Sequence, residues 1–202
     1  MSATLGVPPA LAPEDEARAA IYGLIGRLFY THPDVDVLGF IVNTKLFENN
    51  TSALARAWSE LVEASRKAIP DKLESEHTEL FVGTGRAEVT PYLTHYVIQY
   101  ATDNPLVELR QHLKRWAIAR REEANEPEDH IAGICEALRF AIAMQHRTDR
   151  EQKLFFETFL YRGGVKFCAA VIASLKADFY RAAATFTREF LELEHEAFEM
   201  LG

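Results

Sequence analysis

The sequence predicts an all-α fold, a single compact helical bundle of irregular topology. Apolar residues recur at spacings of three and four in several long segments, as on one face of an amphipathic helix. No segment alternates apolar and polar residues over a useful strand length. The chain has 202 residues, enough to bury a sizeable core. We expect residues 1–12 to be a flexible lead-in, because Pro8 and Pro9 interrupt regular structure, and residues 13–202 to form one helical domain.

The first part of the chain contains four predicted helices. A helix is expected over 14–30, ending before His32-Pro33, because one apolar stripe runs through Ile21, Leu24, Ile25, Leu28 and Phe29. A short helix is expected over 35–42. Thr51 or Ser52 is suited to cap the next helix, whose inner face carries Leu54, Trp58, Leu61 and Val62. Pro70 breaks the chain, and the fourth helix is expected over 71–81.

Residues 82–102 show no clean period and are rich in Gly, Thr and Tyr. We expect a long irregular loop with about one helical turn, and such loops in compact domains are more often functional than decorative. Asp103 or Asn104 then caps a helix with Pro105 at its first position. The basic residues near the end of that helix suit its dipole; they are Lys114, Arg115, Arg120 and Arg121.

The last part of the chain is expected to hold four more helices. Pro127 is suited to the first position of a helix that ends near residue 146. A helix over 149–161 is expected to be separated by Gly163-Gly164 from one over 165–175. The final helix is expected over 176–201, with Phe179, Ala183, Phe186, Phe190 and Ala197 facing inward. The glutamates of its second half are expected on an exposed face; they are Glu189, Glu192, Glu194, Glu196 and Glu199.

Composition excludes several functional classes. The formal net charge is −8, which argues against a nucleic-acid binder with a basic face. The chain lacks a run of about 18 apolar residues, so no membrane insertion is expected, and we interpret the protein as cytoplasmic. Cys135 and Cys168 both lie among apolar residues and are expected to pack in the core. We expect no bound metal or cofactor.

The stretch Glu126-Pro127-Glu128-Asp129-His130 places four ionisable side chains at the start of a predicted helix. Carboxylates suit a helix start, so Asp129 could serve only to bind free N–H groups there. Alternatively, Glu126, Asp129 and His130 could line the rim of a groove, with His130 responding to pH in the physiological range. An acid–base enzyme with its site at these residues is a further alternative.

A helical metalloenzyme is the other enzyme class that the sequence raises. Glu74-x-x-His77 and Glu192-x-x-His195 resemble the paired motifs of di-iron bundles. The inner face predicted for the last helix lies roughly opposite Glu192 and His195, which argues against inward-pointing ligands. His77 shares a helical side with Leu73 and Leu80, and is interpreted either as a core residue or as a groove residue.

Two stretches together resemble the TorD/DmsD/NarJ family of cytoplasmic chaperones for molybdenum- and tungsten-cofactor oxidoreductases. The first carries Leu80, Phe81, Gly83 and Gly85, followed by Pro91, Tyr92, Thr94 and Tyr96, with Thr94 in place of the usual Ser. The second carries Glu126, Pro127, Asp129 and His130 at the family's spacing. The resemblance covers most of the chain from about Leu80 onward.

The resemblance implies a chaperone without catalytic turnover. Its partner would be one apo-oxidoreductase, whose N-terminal segment, often a twin-arginine signal peptide, would be held until the cofactor is loaded; a formate dehydrogenase-like client is one possibility. The segment would bind between residues 80–96 and 126–130, with carboxylates accepting hydrogen bonds from arginines. The implied client-binding residues are His77, Leu80, Phe81, Pro91, Tyr92, Thr94, Tyr96, Glu126, Pro127, Asp129 and His130. The sequence is compatible with a monomer and with a homodimer. A helical protein-binding adaptor without any link to a cofactor is an alternative function.

Overall fold

The computed structural model describes residues 11–47, 51–83, 87–100, 104–119 and 126–201. Most of the expected lead-in, residues 1–10, lies outside these ranges. The regular structure of the described ranges is helical, as the sequence predicts, and one isolated antiparallel β-bridge joins Tyr92 to His130. None of the described helices is long and apolar enough to cross a membrane.

Most of the described residues lie in α-helices. In chain order they are α1 (Pro13–Tyr30), α2 (Val35–Asn43), α3 (Ala53–Lys67), α4 (Pro70–His77), α5 (Pro105–Arg115), α6 (Ile131–Ala143), α7 (Asp149–Phe155), α8 (Arg162–Ala173) and α9 (Phe179–Met200). A π-helical turn over Thr78–Val82 extends α4, and another over Phe156–Tyr161 joins α7 to α8. The expected loop after residue 82 holds one 3₁₀ turn, Leu93–Tyr96.

Several helix starts form for the reasons that the sequence indicates. Pro13 stands at the start of α1, and acidic residues fill the first turn. Ser52 caps α3, because its side chain accepts a hydrogen bond from the Ala55 N–H at 3.2 Å. Pro105 begins α5, which ends at Arg115; Arg120 and Arg121, expected near its end, lie outside the described residues.

The start of α6 differs from the prediction. The helix begins at Ile131, and residues 127–130 form a turn in which the His130 N–H donates to the Pro127 carbonyl at 3.2 Å. The Ile131 N–H donates to the Pro91 carbonyl at 3.0 Å. Because this backbone pairs with a distant loop, helical geometry starts four residues later than Pro127 suggests.

The glycine pair Gly163-Gly164 does not separate two helices, contrary to the prediction. The chain is helical without interruption over 149–173. A Cβ at Gly163 would stand 2.8 Å from the Leu93 carbonyl oxygen, and one at Gly164 would stand 2.8 Å from a methyl group of Leu191. The glycines therefore serve close packing against the 3₁₀ turn and α9, rather than chain reversal.

The last helix also departs from the prediction in two respects. It begins at Phe179, three residues after the predicted start. Phe179, Ala183, Phe186 and Phe190 are buried as predicted, but Ala197 is exposed and Glu194 is buried. Glu194 is only 4% exposed, because it turns toward Arg18 and Tyr22 of α1.

The core lies between α1, α6, α8 and α9. Its centre is a cluster of aromatic rings in mutual contact, formed by Phe29, Phe81, Phe167 and Tyr180. Cys135 and Cys168 are buried free thiols, as predicted, and burial raises the pKa of both. The first residue cluster of the family resemblance, Leu80-Phe81, is thus part of the core.

Candidate binding groove

The two stretches that carry the family resemblance lie side by side. The Leu93 N–H donates to the Asp129 carbonyl at 2.9 Å, and the Ile131 N–H donates to the Pro91 carbonyl. These bonds form the isolated bridge around Tyr92 and His130. Segments separated by more than 30 residues are therefore joined by backbone hydrogen bonds, as the sequence interpretation requires of a shared site.

Side chains complete this junction, which we call the seam. The Thr94 hydroxyl donates to the Asp129 carboxylate, which is 3% exposed. The Tyr92 hydroxyl donates to Glu126 at 2.5 Å. Desolvation, followed by the hydrogen bond and charge of Glu126, raises the pKa of Tyr92 to about 12. The seam is thus a closed contact, and the Asp129 carboxylate stabilises it through its hydrogen bond with Thr94.

An open groove lies on the other side of the 126–130 turn. It runs between α1 and α6 and encloses about 850 Å³, within the range of ligand-binding clefts. Glu126, Pro127, Glu128 and His130 form one wall, and the loop after α1 forms the opposite wall. The apolar part of the lining includes Tyr30, Val37, Leu113, Ile118, Ala137 and Phe140. A second hollow of about 450 Å³ shares the Leu113 and Glu128 edge and continues toward Arg110.

Small residues shape the floor of the groove. Gly23 and Gly26 of α1 and Gly133 of α6 all line it. A Cβ at Gly23 would stand 2.9 Å from the Arg139 side chain, and one at Gly133 would stand 3.1 Å from the Glu128 carbonyl oxygen. The missing side chains therefore let α1, α6 and the 126–130 turn pack closely against one another beneath the groove.

The charge of the groove is predominantly negative. Among the described residues, its lining contains the carboxylates Asp34, Glu126, Glu128 and Glu136, together with Arg27. Three of these carboxylates have partly exposed cationic partners: Arg27 stands 3.9 Å from Asp34, Arg110 stands 3.0 Å from Glu128, and Arg139 pairs with Glu136. Exposed ion pairs of this kind contribute little to stability individually. A cationic ligand could therefore replace the arginine partner of such a carboxylate at a small cost in free energy.

His130 connects the groove to the seam. It is 4% exposed, and its Nδ1 accepts a hydrogen bond from the Ala132 N–H at 3.1 Å, which caps α6. Its ring lies edge-on to those of Tyr30 and Tyr92. Burial lowers the pKa of His130 to about 4. The expected response in the physiological pH range is therefore wrong, because the buried imidazole is neutral there.

The structure distributes the sequence-derived site residues over three places. Glu126, Pro127 and His130 line the groove. Pro91, Tyr92, Thr94 and Asp129 form the seam, and Leu80 and Phe81 lie in the core. Tyr96 packs against the core edge and donates to the Thr90 carbonyl at 2.8 Å. His77 touches Phe81 and Tyr180, which favours its interpretation as a core residue.

The wall formed by α1 and the loop after it was not predicted from the sequence. Tyr30, His32 and Asp34 line the groove there, together with the floor glycines. A signal was present, because Gly23 and Gly26 lie inside the predicted first helix, beside its apolar stripe, and glycine inside a helix is destabilising by about 1 kcal/mol. An interior glycine that persists at that cost commonly marks a close approach.

The geometry does not support the two enzyme alternatives. Asp129 is bonded to Thr94 and His130 to the start of α6, so neither is directed at a common reacting atom. For the di-iron motifs, the His77 ring contacts Tyr180, whereas His195 lies fifteen residues further along α9. That separation amounts to roughly 22 Å along a helix axis, so the two motifs cannot share a dinuclear site.

The seam can be tested through Thr94. Replacing Thr94 by valine preserves its shape but removes the hydroxyl donor of the buried Asp129 carboxylate. We expect the free energy of unfolding to fall by roughly 1–3 kcal/mol, the cost of an unsatisfied buried polar group. Thr94→Ser keeps the hydroxyl and should cost about 0.8 kcal/mol or less, the value of one buried methyl group. Equal losses for both variants in urea unfolding would contradict a role for this hydrogen bond.

The chain matches a known protein family and resembles named chaperones. The family model described as the nitrate reductase delta subunit matches residues 48–169. The TorD chaperone of Aliivibrio salmonicida is 25% identical over 201 residues, covering 89% of this chain and 94% of the relative. A DmsD protein of Haemophilus influenzae, described as a Tat proofreading chaperone, is 26% identical, covering 86% of this chain and 88% of the relative.

A solved structure shows the same fold. It is that of a proposed redox enzyme maturation protein from Archaeoglobus fulgidus, with a TM-score of 0.54 and 18% identity. The match covers 93% of this chain and 99% of that protein. The family model spans more than half of the chain and includes the seam as well as one wall of the groove. The chain belongs to the TorD/DmsD/NarJ family of molybdoenzyme maturation chaperones, and it is a chaperone rather than an enzyme.

Proposed function

We propose that this chaperone binds the N-terminal segment of an apo molybdenum or tungsten oxidoreductase in the groove between α1 and α6. The observation that carries the proposal is the pairing of a negative rim with an apolar lining in one groove. A twin-arginine signal segment has the complementary character, since two cationic side chains precede an apolar run. The client would be held in the cytoplasm, before export or assembly, while its cofactor is inserted.

Each part of the groove has a distinct task in this proposal. Glu126 and Glu128 accept charge-assisted hydrogen bonds from client guanidinium groups, for which carboxylates are suited bidentate partners. The apolar wall around Leu113, Ile118 and Phe140 covers the hydrophobic part of the segment. The seam acts behind the groove: Tyr92 orients Glu126, and Thr94 with Asp129 fixes the turn that presents it.

Affinity purification of the tagged protein from its native cytoplasm, followed by mass spectrometry, tests the role. We expect a molybdopterin or tungstopterin oxidoreductase subunit to be enriched. Its absence under conditions in which such enzymes are expressed would contradict the proposal and favour an adaptor without a cofactor link.

A binding measurement tests the site. The probe is a synthetic peptide with two adjacent arginines followed by an apolar run, and a peptide with both arginines replaced by glutamine is its control. We expect the double variant Glu126→Gln, Glu128→Gln to bind the arginine peptide on the order of tenfold to a hundredfold more weakly in calorimetry, which corresponds to about 1.4–2.8 kcal/mol. The matched variant Glu60→Gln, Glu74→Gln makes the same charge change at exposed positions outside the groove and should bind normally. Equal weakening in both variants would show a general charge effect and refute this placement.

A further inference from the structure

A second cluster of ligating side chains lies at the far end of α9, outside the groove. His195 and Glu199 are four residues apart and therefore share one face of the helix. Glu157, in the π-helical turn between α7 and α8, faces them, and its Oε1 is 2.6 Å from His195 Nδ1. One donor atom from each of the three residues lies within 4.8 Å of the others. We propose that these three side chains bind a divalent transition-metal ion of the Zn²⁺ class.

The donor set suits such an ion. Zn²⁺ takes imidazole nitrogen and carboxylate oxygen at roughly 2.0–2.2 Å, so tetrahedral ligands stand roughly 3.4 Å from one another. The separation of 2.6 Å between His195 Nδ1 and Glu157 Oε1 is shorter than this value, and the three donor atoms all lie within 4.8 Å of one another. Small side-chain rotations therefore suffice to enclose an ion. Three protein ligands would leave the fourth position to water.

The imidazole is already oriented by its surroundings. The Tyr161 ring stacks on that of His195 with centroids 4.1 Å apart and planes inclined by 17°. The Tyr161 hydroxyl in turn donates to Glu192 at 2.8 Å. Support of this kind behind a ligating histidine fixes its ring plane, as outer contacts do in metal sites. Glu192 thus takes part through Tyr161, and the sequence motif Glu192-x-x-His195 contributes only its histidine as a ligand.

One cation competes for the cluster. Lys153 pairs with Glu199 at 3.0 Å, and the Glu199 side chain is 62% exposed. A pair this exposed is worth at most about 1 kcal/mol. Lys153 also donates to the Phe198 carbonyl at 2.8 Å, so it keeps a partner when Glu199 turns to the metal. His195 and Glu157 are 31% and 27% exposed, which leaves a path for an ion from solvent.

Zn²⁺ titration of the chelator-treated full chain tests the site by calorimetry. We expect saturable binding of one ion, weakened at least tenfold by His195→Ala and by Glu199→Gln. Glu196→Gln is the matched control, because Glu196 is exposed on the same helix and outside the cluster; it should bind Zn²⁺ like the unaltered chain. Thermal unfolding without metal checks that each variant folds, and Glu157→Gln replaces any variant that does not.

Two results would overturn the proposal. The first is an absence of saturable binding at millimolar Zn²⁺. The second is equal affinity for all the variants, which would place the ion at other donors, such as the exposed His95 or His146. Either result leaves the client-binding proposal untouched, since the cluster shares no residue with the groove.

Discussion

Replacing Glu194 by alanine is expected to lower the free energy of unfolding by about 3–5 kcal/mol, the cost of breaking a buried ion pair by removing one partner. Glu194 is 4% exposed, and its two oxygens accept hydrogen bonds from Arg18 Nε at 2.9 Å and Nη2 at 3.0 Å. The Tyr22 hydroxyl donates to the same carboxylate at 2.7 Å. The substitution would leave a largely buried guanidinium and a buried hydroxyl without this acceptor.

The network matters because it ties the first helix to the last. Arg18 and Tyr22 belong to α1, whose later turns form the floor and one wall of the groove. Burial works against the charge of Arg18, but the hydrogen bond and charge of Glu194 outweigh it and raise the pKa of Arg18. Loss of Glu194 would leave Arg18 paired with Asp15 of its own helix, at 2.9 Å, and would remove its carboxylate partner on α9, so we expect the α1–α9 contact to loosen.

Chemical denaturation of the two variants Glu194→Ala and Glu196→Ala measures the effect. Glu196 is exposed on the same helix, so its substitution should change stability by no more than about 0.5 kcal/mol. A similar small loss for Glu194→Ala would contradict the energetic role assigned to the network. A large loss that Glu194→Gln reverses in part would separate the hydrogen bonds from the charge.

The position of Glu194 also shows where sequence reasoning fails. Helical periodicity correctly identified Phe179, Ala183, Phe186 and Phe190 as buried, but it assigned Glu194 to an exposed acidic face. The buried side of α9 continues through Leu191, Glu194 and Phe198. A glutamate there is explained by Arg18 and Tyr22 of α1, which are 176 and 172 residues distant in sequence, and no local pattern reveals such pairings.

Helix boundaries were predictable where local chemistry decides them and not where packing does. Ser52 and Pro105 begin helices as predicted. Pro127 does not, because the adjoining backbone pairs with the loop containing Pro91. Gly163-Gly164 does not end a helix, because the missing side chains admit Leu93 and Leu191. In both cases a tertiary contact overrides the local conformational preference of the residue, because such preferences are weak compared with packing.

The candidate site was predictable to the same degree. The family resemblance identified both stretches of the seam, but it predicted a groove between them, where the structure has a closed, hydrogen-bonded contact. The groove itself was not located, because it is made by the approach of α1 to α6 rather than by either stretch alone. Asp129 was predicted to line the groove, whereas in the structure its carboxylate accepts a hydrogen bond from the Thr94 hydroxyl. From sequence alone, a residue such as Asp129 that holds the turn in place cannot be distinguished from a neighbour such as Glu126 that lines the groove.

Acidification is expected to remove about 3 kcal/mol of stability through His130. Its pKa is 6.5 when unperturbed and is lowered to about 4 in the folded chain, and each pKa unit corresponds to about 1.36 kcal/mol. The unfolded chain binds the proton more readily between these values, so stability rises with pH across this window. The contribution is complete above pH 6.5 and is lost as the pH falls toward 4. Protonation would also place an N–H at Nδ1, where the Ala132 N–H needs an acceptor.

The variant His130→Asn isolates this effect. Asparagine can still accept the Ala132 N–H as a helix cap but does not titrate in this range. Between pH 6.5 and 4 we expect the unaltered chain to lose about 3 kcal/mol more of its unfolding free energy than the variant. Because the carboxylates titrate in both proteins, their contributions cancel in the comparison. Parallel stability profiles, or a His130 pKa near 6.5 by NMR, would contradict the burial argument. A neutral His130 leaves the negative charge of the groove undiminished at neutral pH, the condition under which a cationic segment would be bound.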